Sequence, residues 1–267
     1  MSGFKRRTLG RTGLAVSPLG IAASYGVPAA AVEEAVERGI NYLYWGSLRR
    51  GGFTQALQNL KGRRDSLVVV LQSFWPLPWM IERSLKGGLR TIGYDAADVL
   101  LLGYWNKPVP PRVLEACERW RRQGLFRYLG LSSHNRPLLG QMAASGAFDV
   151  LHLRYNAAHR GAETEIFPHL TGTTTQPPGV AAYTATSWAQ LLDPKLLPRD
   201  EHPPSAADCY RFVLSNPSVD VCMTGPGTLD EARKGWAALD AGPMEPEELA
   251  RMRRIGDAVR ARGRQQD

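Results

Sequence analysis

Apolar residues fall along this chain in short blocks separated by amphipathic stretches. LGIAAS (19–24) is followed by AAAVEEAVERG, where Ala30, Val32, Ala35 and Val36 lie close to one face of a 3.6-residue period. The alternation continues: YLYW (42–45) and FTQALQNLK, LVVVLQSF (67–74) and MIERSLKGGLRTIG, DVLLLGYW (98–105) and RVLEACERWRRQG. It goes on through YLGLSS (128–133) and PLLGQMAASG, FDVLHLRYN (148–156) and ETEIFPHL, GVAAYTAT (179–186) and AADCYRFVLSN, VDVCMTG (219–225) and LDEARKGWAAL. Gly39, Gly93, Gly124 and Gly146 stand where helices should stop, as residues free to take positive φ.

The predicted strands are short, rich in Val and Leu and apolar on both faces, which suits a parallel sheet covered by helices. About eight strand–helix pairs in one chain predict an α/β fold of the (β/α)8 TIM-barrel type over residues 1–267, as one domain. An open doubly wound sheet would carry a GxGxxG turn after an early strand, and none is present. RRTLGRTGLAVSPLG reads as an N-terminal β-hairpin across the bottom of the barrel, with GRTG as its turn. PEELARMRRIGDAVRARG is an extra C-terminal helix outside the eightfold pattern, and residues 187–204 read as a long loop at the opposite, active end.

Composition narrows this picture. The chain has 267 residues, 43% of them hydrophobic, enough for a full core. Three scattered cysteines make neither a disulfide framework nor a metal cluster, and five histidines without HxH or HExxH spacing predict no metal site. No apolar run approaches bilayer-spanning length and the first residues lack a signal-like apolar core, so a cytoplasmic protein without a membrane partner is expected. The formal charge of +8 brings anionic partners into consideration. Much of the excess sits in helical runs, Arg119, Arg121 and Arg122, then Arg251, Arg253, Arg254, Arg260, Arg262 and Arg264, which read as solvated faces. No nucleic-acid motif accompanies them, so nucleic acid is not the expected partner, and oligomeric state is not legible.

Six stretches in order resemble the aldo-keto reductase family. LGRTGLAVSPLGIA resembles its opening, VERGINYLYWG its "GIN-hydrophobic-hydrophobic-D-T-A" segment, and LLLGYW its "LLLHxW". FRYLGLSSHN resembles its "RxxGxSN", DVLHLRYNAAHRGAETEIFPHL its "YN–R–E–P" segment, and VDVCMTGPGTLDEA its cofactor-end strand and helix. The resemblance implies a barrel that binds NADP(H) in an extended pose. It also implies carbonyl reduction by an Asp, Tyr, Lys and His set at the C-terminal mouth. In such a set a phenol supplies the proton, and a neighbouring ammonium eases its ionisation.

None of the four is present. The Asp place falls at Tyr44, the Tyr at Arg49, the Lys at Ser73 and the His at Gly103. Neither LVVVLQSFW nor DVLLLGYW contains a Lys or His to recover by shifting the alignment. The cofactor side is better kept. Ser132 and Ser133 fall at the Ser-Asn pair for the nicotinamide carboxamide, His152 at the family Gln, and Tyr183 at the tyrosine that stacks on the ring. Gly225 marks the phosphate end, with Arg233 the nearest basic residue in sequence together with Lys234.

Strand ends at a barrel's C-terminal mouth meet the ligand, which predicts a pocket of Trp45, Ser47, Arg50, Ser73, Trp75, Tyr104, Trp105 and Asn106 around the candidate catalytic residues Tyr44, Arg49 and His134. Tyr44 would replace the proton donor, Arg49 or Arg50 would lower its pKa or clamp an anionic small molecule, and His134 would act as base. Three readings stay open: a divergent nicotinamide-binding oxidoreductase, a non-redox enzyme acting on an anionic or aromatic small molecule, and a catalytically inactive binding or regulatory protein.

Overall fold

The structure is a computed structural model that describes residues 3–46, 49–171 and 176–263. Strands β1 (Arg7–Thr8) and β2 (Ala15–Val16) pair antiparallel as the expected hairpin. Eight parallel strands then close a barrel: β3 (Leu19–Ala22), β4 (Tyr42–Trp45), β5 (Val68–Ser73), β6 (Ala97–Leu102), β7 (Phe126–Ser132), β8 (Val150–Arg154), β9 (Gly179–Tyr183) and β10 (Val221–Thr224). Each pairs with its sequence neighbour, and β10 closes onto β3 through Cys222, Met223 and Thr224 opposite Leu19, Gly20 and Ile21. The fold is the (β/α)8 TIM barrel of the α/β class.

Between the strands run α1 (Ala29–Glu37), α2 (Gly51–Asn59), α3 (Pro78–Ile92), α4 (Pro111–Arg122) and α5 (Arg136–Ser145). Two single turns, α6 (Ala162–Glu165) and α7 (Pro168–Thr171), follow β8, and α8 (Ala206–Leu214) and α9 (Leu229–Ala241) complete the ring. The extra helix α10 (Pro246–Gly263) lies beyond the eightfold pattern. Gly39, Gly93, Gly124 and Gly146 all have positive φ where their helices end.

The strand period of two sorts side chains into two cores. Tyr42, Val68, Val70, Val99, Leu101, Val150, Ala181 and Met223 fill the lumen, with Leu9 and Val16 of the hairpin region plugging its lower end. Leu43, Val69, Leu71, Leu100, Leu102, Leu129, Leu131 and Leu151 face the helices. Each fully buried Val or Leu contributes about 1.5–3 kcal/mol. Asp98 lies at the lower end, buried, accepting a hydrogen bond from Val69 N–H and paired with Arg64 at 2.8 Å, a structural role. Several arginines expected as solvated faces are ion-paired instead: Arg121 with Asp149, Arg251 with Glu201 and Arg253 with Glu163. Arg264 lies outside the described residues.

Candidate functional site

Strand parity decides what reaches the mouth. Tyr42 and Tyr44 point into the lumen, so Trp45 points out; it is buried among the helices, donating from Nε1 to Thr54 at 2.9 Å. On β5, Val68 and Val70 face inward, so the next lumen position is Gln72 and not Ser73. Ser73 is fully enclosed on the helix side. Ser73, expected in the pocket, is therefore turned away from it, because a strand apolar on both faces gives no parity signal.

A cavity of about 330 Å³ opens at the C-terminal mouth. Tyr44, Gln72, Tyr104, Ser132, His134, His152, Tyr183 and Gly225 line it, joined by Tyr25, Thr184, Thr186, Trp188, Tyr210, Met223 and Thr224. No Asp, Glu, Lys or Arg is among the lining residues. Arg49 is exposed, with its side chain beside Gly26, and Arg50 lays its guanidinium 4.0 Å above the Trp45 ring. Neither arginine lines the cavity, which corrects the expectation of a basic pocket; Ser47 lies outside the described residues.

Tyr44, Gln72 and Gly103 form one interlocked group. Tyr44 donates its phenolic hydrogen to Gln72 Oε1. The Gln72 amide reaches across Gly103, where any Cβ would run into it, so the glycine makes room for the glutamine. The Tyr44 ring folds over Gly46, whose Cβ would fall 2.6 Å from the hydroxyl. Burial, then the nearby Tyr104 and Tyr183, push the Tyr44 phenol above its ordinary range, with Arg50 only partly opposing them. This is the reverse of what a proton-donating phenol needs. Tyr44 is a poor acid here.

His152 is also held neutral. It is fully buried, its Nε2 lies 2.7 Å from the Tyr42 hydroxyl, and burial drops its pKa to about 3. With the Tyr42 phenol pushed well up by burial, the phenol donates and Nε2 accepts. His134 stacks on Tyr104 at 5.4 Å and meets the edge of Tyr183 at 6.1 Å. Partial burial and then Arg154 lower its pKa, so it can accept a proton at neutral pH, yet no strong acid stands opposite it in the cavity. The arrangement can stack rings and exchange neutral hydrogen bonds. It offers no charged acid–base couple.

Other expected pocket residues brace the rim. Asn106 Oδ1 accepts from Ser133 Oγ at 3.0 Å and from His134 N–H at 2.9 Å, so Asn106 and Ser133 tie two loops together outside the cavity. Trp105 packs on the helix-side core and Trp75 is exposed away from the cavity. Glu163 and Glu165, at the "R–E" segment, brace Arg253 and Arg136, and Arg160 holds Asp257 at 2.7 Å.

Ser132 and Tyr183 fit a nicotinamide ring: both line the cavity, and the Tyr183 hydroxyl is buried with no hydrogen bond of good geometry, Ser132 being the polar group beside it. The start of α9, the expected phosphate end, carries acids and no unpaired cation among the described residues. Gly227 N–H, at the turn before α9, donates to Glu231 of this chain at 2.8 Å, and the first turn of α9 carries Asp230 as well. Arg233 is exposed and paired with Glu34 at 2.7 Å, and Lys234 with Asp230 at 2.7 Å. One backbone donor at this helix start, Gly227 N–H, is thus already taken by a carboxylate of the chain itself.

Backbone strain marks the same end of the barrel. Among the described residues, the non-glycine positions with positive φ are Tyr104, Thr184, Ser187, Trp188 and Ala189, all on loops that follow β6 and β9. Each costs about 1 kcal/mol. At Tyr104 and Trp188 this backbone carries a ring that lines the cavity. Sequence reasoning missed Gln72, Tyr25, Trp188 and Tyr210. For Trp188 the long loop after β9 was the available signal; for the others there was none, because their approach depends on strand parity and helix placement.

No curated protein matches the sequence. The apo form of the aldo-keto reductase AKR11C1 from Bacillus halodurans superimposes with a TM-score of 0.78 at 22% identity, over 95% of this chain and 96% of that one. Its holo form gives 0.80 at 22% identity, over 95% and 97%. The model of the aldo/keto reductase family matches residues 28–184, more than half of the chain. By that match and by the closed eight-stranded barrel, this chain belongs to the aldo/keto reductase family.

Proposed function

We propose that the mouth cavity binds a neutral, flat small molecule and that the protein does not reduce carbonyls by the family's acid–base route. The observation that carries this reading is the cavity lining: aromatic rings, hydroxyls and one amide, with no charged side chain. Tyr183, Tyr104 and Trp188 supply ring faces, while Ser132, Thr224 and Gln72 supply neutral hydrogen bonds. An anionic ligand would lose its hydration with no cation among the lining side chains to replace it.

A second reading is favoured by Ser132 and Tyr183: the flat group is the nicotinamide of a dinucleotide. Such a cofactor would supply hydride when bound. The chain's own contribution would be to stack and orient the ring, and the carboxylate at Glu231 favours a dinucleotide lacking the 2′-phosphate. NADP(H) is the form that fits least well.

Titration with Nile red, a neutral planar dye, followed by its emission and repeated with Tyr183→Ala, tests the first reading. Saturable binding weakened about tenfold in the variant is expected. Competition by NADH at micromolar concentration would select the second reading. Oxidation of NADPH dependent on 4-nitrobenzaldehyde and lost in Tyr44→Phe would overturn the first outright.

A further inference from the structure

A different part of the mouth carries its own signal. Loops after β4, β5 and β6 are neighbours on the rim, because those strands pair in sequence order. The loop after β5 reads FWPLPW (74–79), and its large side chains are turned to solvent: Trp79 is 62% exposed, Trp75 49% and Phe74 46%. Tyr104, 61% exposed, stacks on Phe74 at 5.3 Å and extends the patch onto the next loop. A run of exposed aromatic and aliphatic side chains of this kind marks an interaction surface.

The charge on this arc has one sign. Residues 46–50, 74–79 and 103–110 include Arg49, Arg50 and Lys107 and no acid. Arg83 is exposed one helical turn beyond Trp79 on α3, whereas Glu82 is paired with Lys86 at 2.6 Å. Tryptophan and tyrosine beside arginine and lysine suit the headgroup region of a bilayer, where the rings sit among the headgroups and the cations meet anionic lipid. A second copy of this chain would bring the same cations face to face, on a molecule already at +8.

We propose that the β4–β6 side of the mouth, with Phe74, Trp75, Leu77 and Trp79 at its apolar centre and Arg50, Arg83 and Lys107 around it, docks on an anionic lipid surface. The expectation of no membrane partner rested on the lack of a spanning segment, and among the described residues no helix is long and apolar enough to cross a bilayer. A peripheral contact needs none. The inference goes beyond the cavity's ligand and stands without it. Docking would also set the neutral cavity beside the interface, since Tyr104 belongs to both.

Co-sedimentation with vesicles of phosphatidylcholine alone, and of phosphatidylcholine mixed with phosphatidylglycerol, tests the proposal at low and high salt. Binding to the mixed vesicles is expected, with a blue shift of tryptophan emission and loss at high salt. Trp75→Ser/Trp79→Ser should weaken it about tenfold, and Lys107→Glu should weaken it independently of the aromatic pair. Equal melting temperatures of variants and parent exclude misfolding as the cause. The proposal is overturned if mixed vesicles bring down no more protein than phosphatidylcholine alone, or if the double variant binds as the parent does. It is equally overturned if the parent is a dimer that Trp79→Ser dissociates, or if it prefers a single-stranded oligonucleotide to the mixed vesicles.

Discussion

The two halves of the barrel mouth hold their polar groups in different ways. On the β4–β6 side, Tyr44, Gln72 and Gly103 form a mutually dependent neutral group: the phenol is held by the amide, and the amide needs the glycine. On the β7–β10 side, Ser132, His152 and Tyr183 still present polar and ring surfaces to the cavity. The comparison teaches that one half is locked by hydrogen bonds among its own side chains while the other leaves ring and polar surfaces open to the cavity.

The largest expected effect probes the platform half. His152 has a folded pKa of about 3 against an ordinary 6.5, a depressed value, so its contribution to stability is present above 6.5 and lost as pH falls toward 3. Between pH 6.5 and 4 this amounts to about 3 kcal/mol. Asp220 works in the opposite sense: burial raises its pKa to about 6, so it adds stability as pH falls from 6 to below its ordinary 3.8. His152→Gln, which cannot titrate, should flatten the His component. Urea melts of parent and variant across this pH window read the difference, and parallel curves would show that His152 is not the source.

Gly103→His tests whether the Tyr44–Gln72–Gly103 group is truly a unit. Its side chain must displace the Gln72 amide and break the Tyr44 hydrogen bond, at a cost of about 2 kcal/mol. Adding Gln72→Ala should recover most of that loss; additive losses in the urea melts of the double variant would dissolve the unit. Tyr44→Phe should cost about 1 kcal/mol by leaving the Gln72 carbonyl without its donor. A gain in stability on this substitution would instead mark the tyrosine as held for ligand contact. The smallest effect lies at the phosphate end: Glu231→Gln should tighten NADPH about threefold and leave NADH unchanged in fluorescence titrations. Equal changes for both nucleotides would detach the carboxylate from any 2′-phosphate discrimination.

Legibility followed the range of the interaction. The barrel, its hairpin plug and the extra helix were all readable, because the strand–helix period is a local property. Ser132, His152 and Tyr183 were also found in the chain before their geometry was known. Side-chain direction was another matter. YLYW and LVVVLQSF are apolar on both faces, so nothing in them said that Trp45 and Ser73 turn to the helices while Tyr44 and Gln72 turn to the cavity. Likewise the Arg49–Arg50 pair read as an anion clamp, and only the packed structure showed Arg50 lying on Trp45 and Arg233 paired with Glu34. The sequence by itself determined the barrel and its strand–helix order. Tertiary structure decided that the remaining cavity is neutral, because a charge belongs to a site only when the backbone points it there and no partner has already neutralised it.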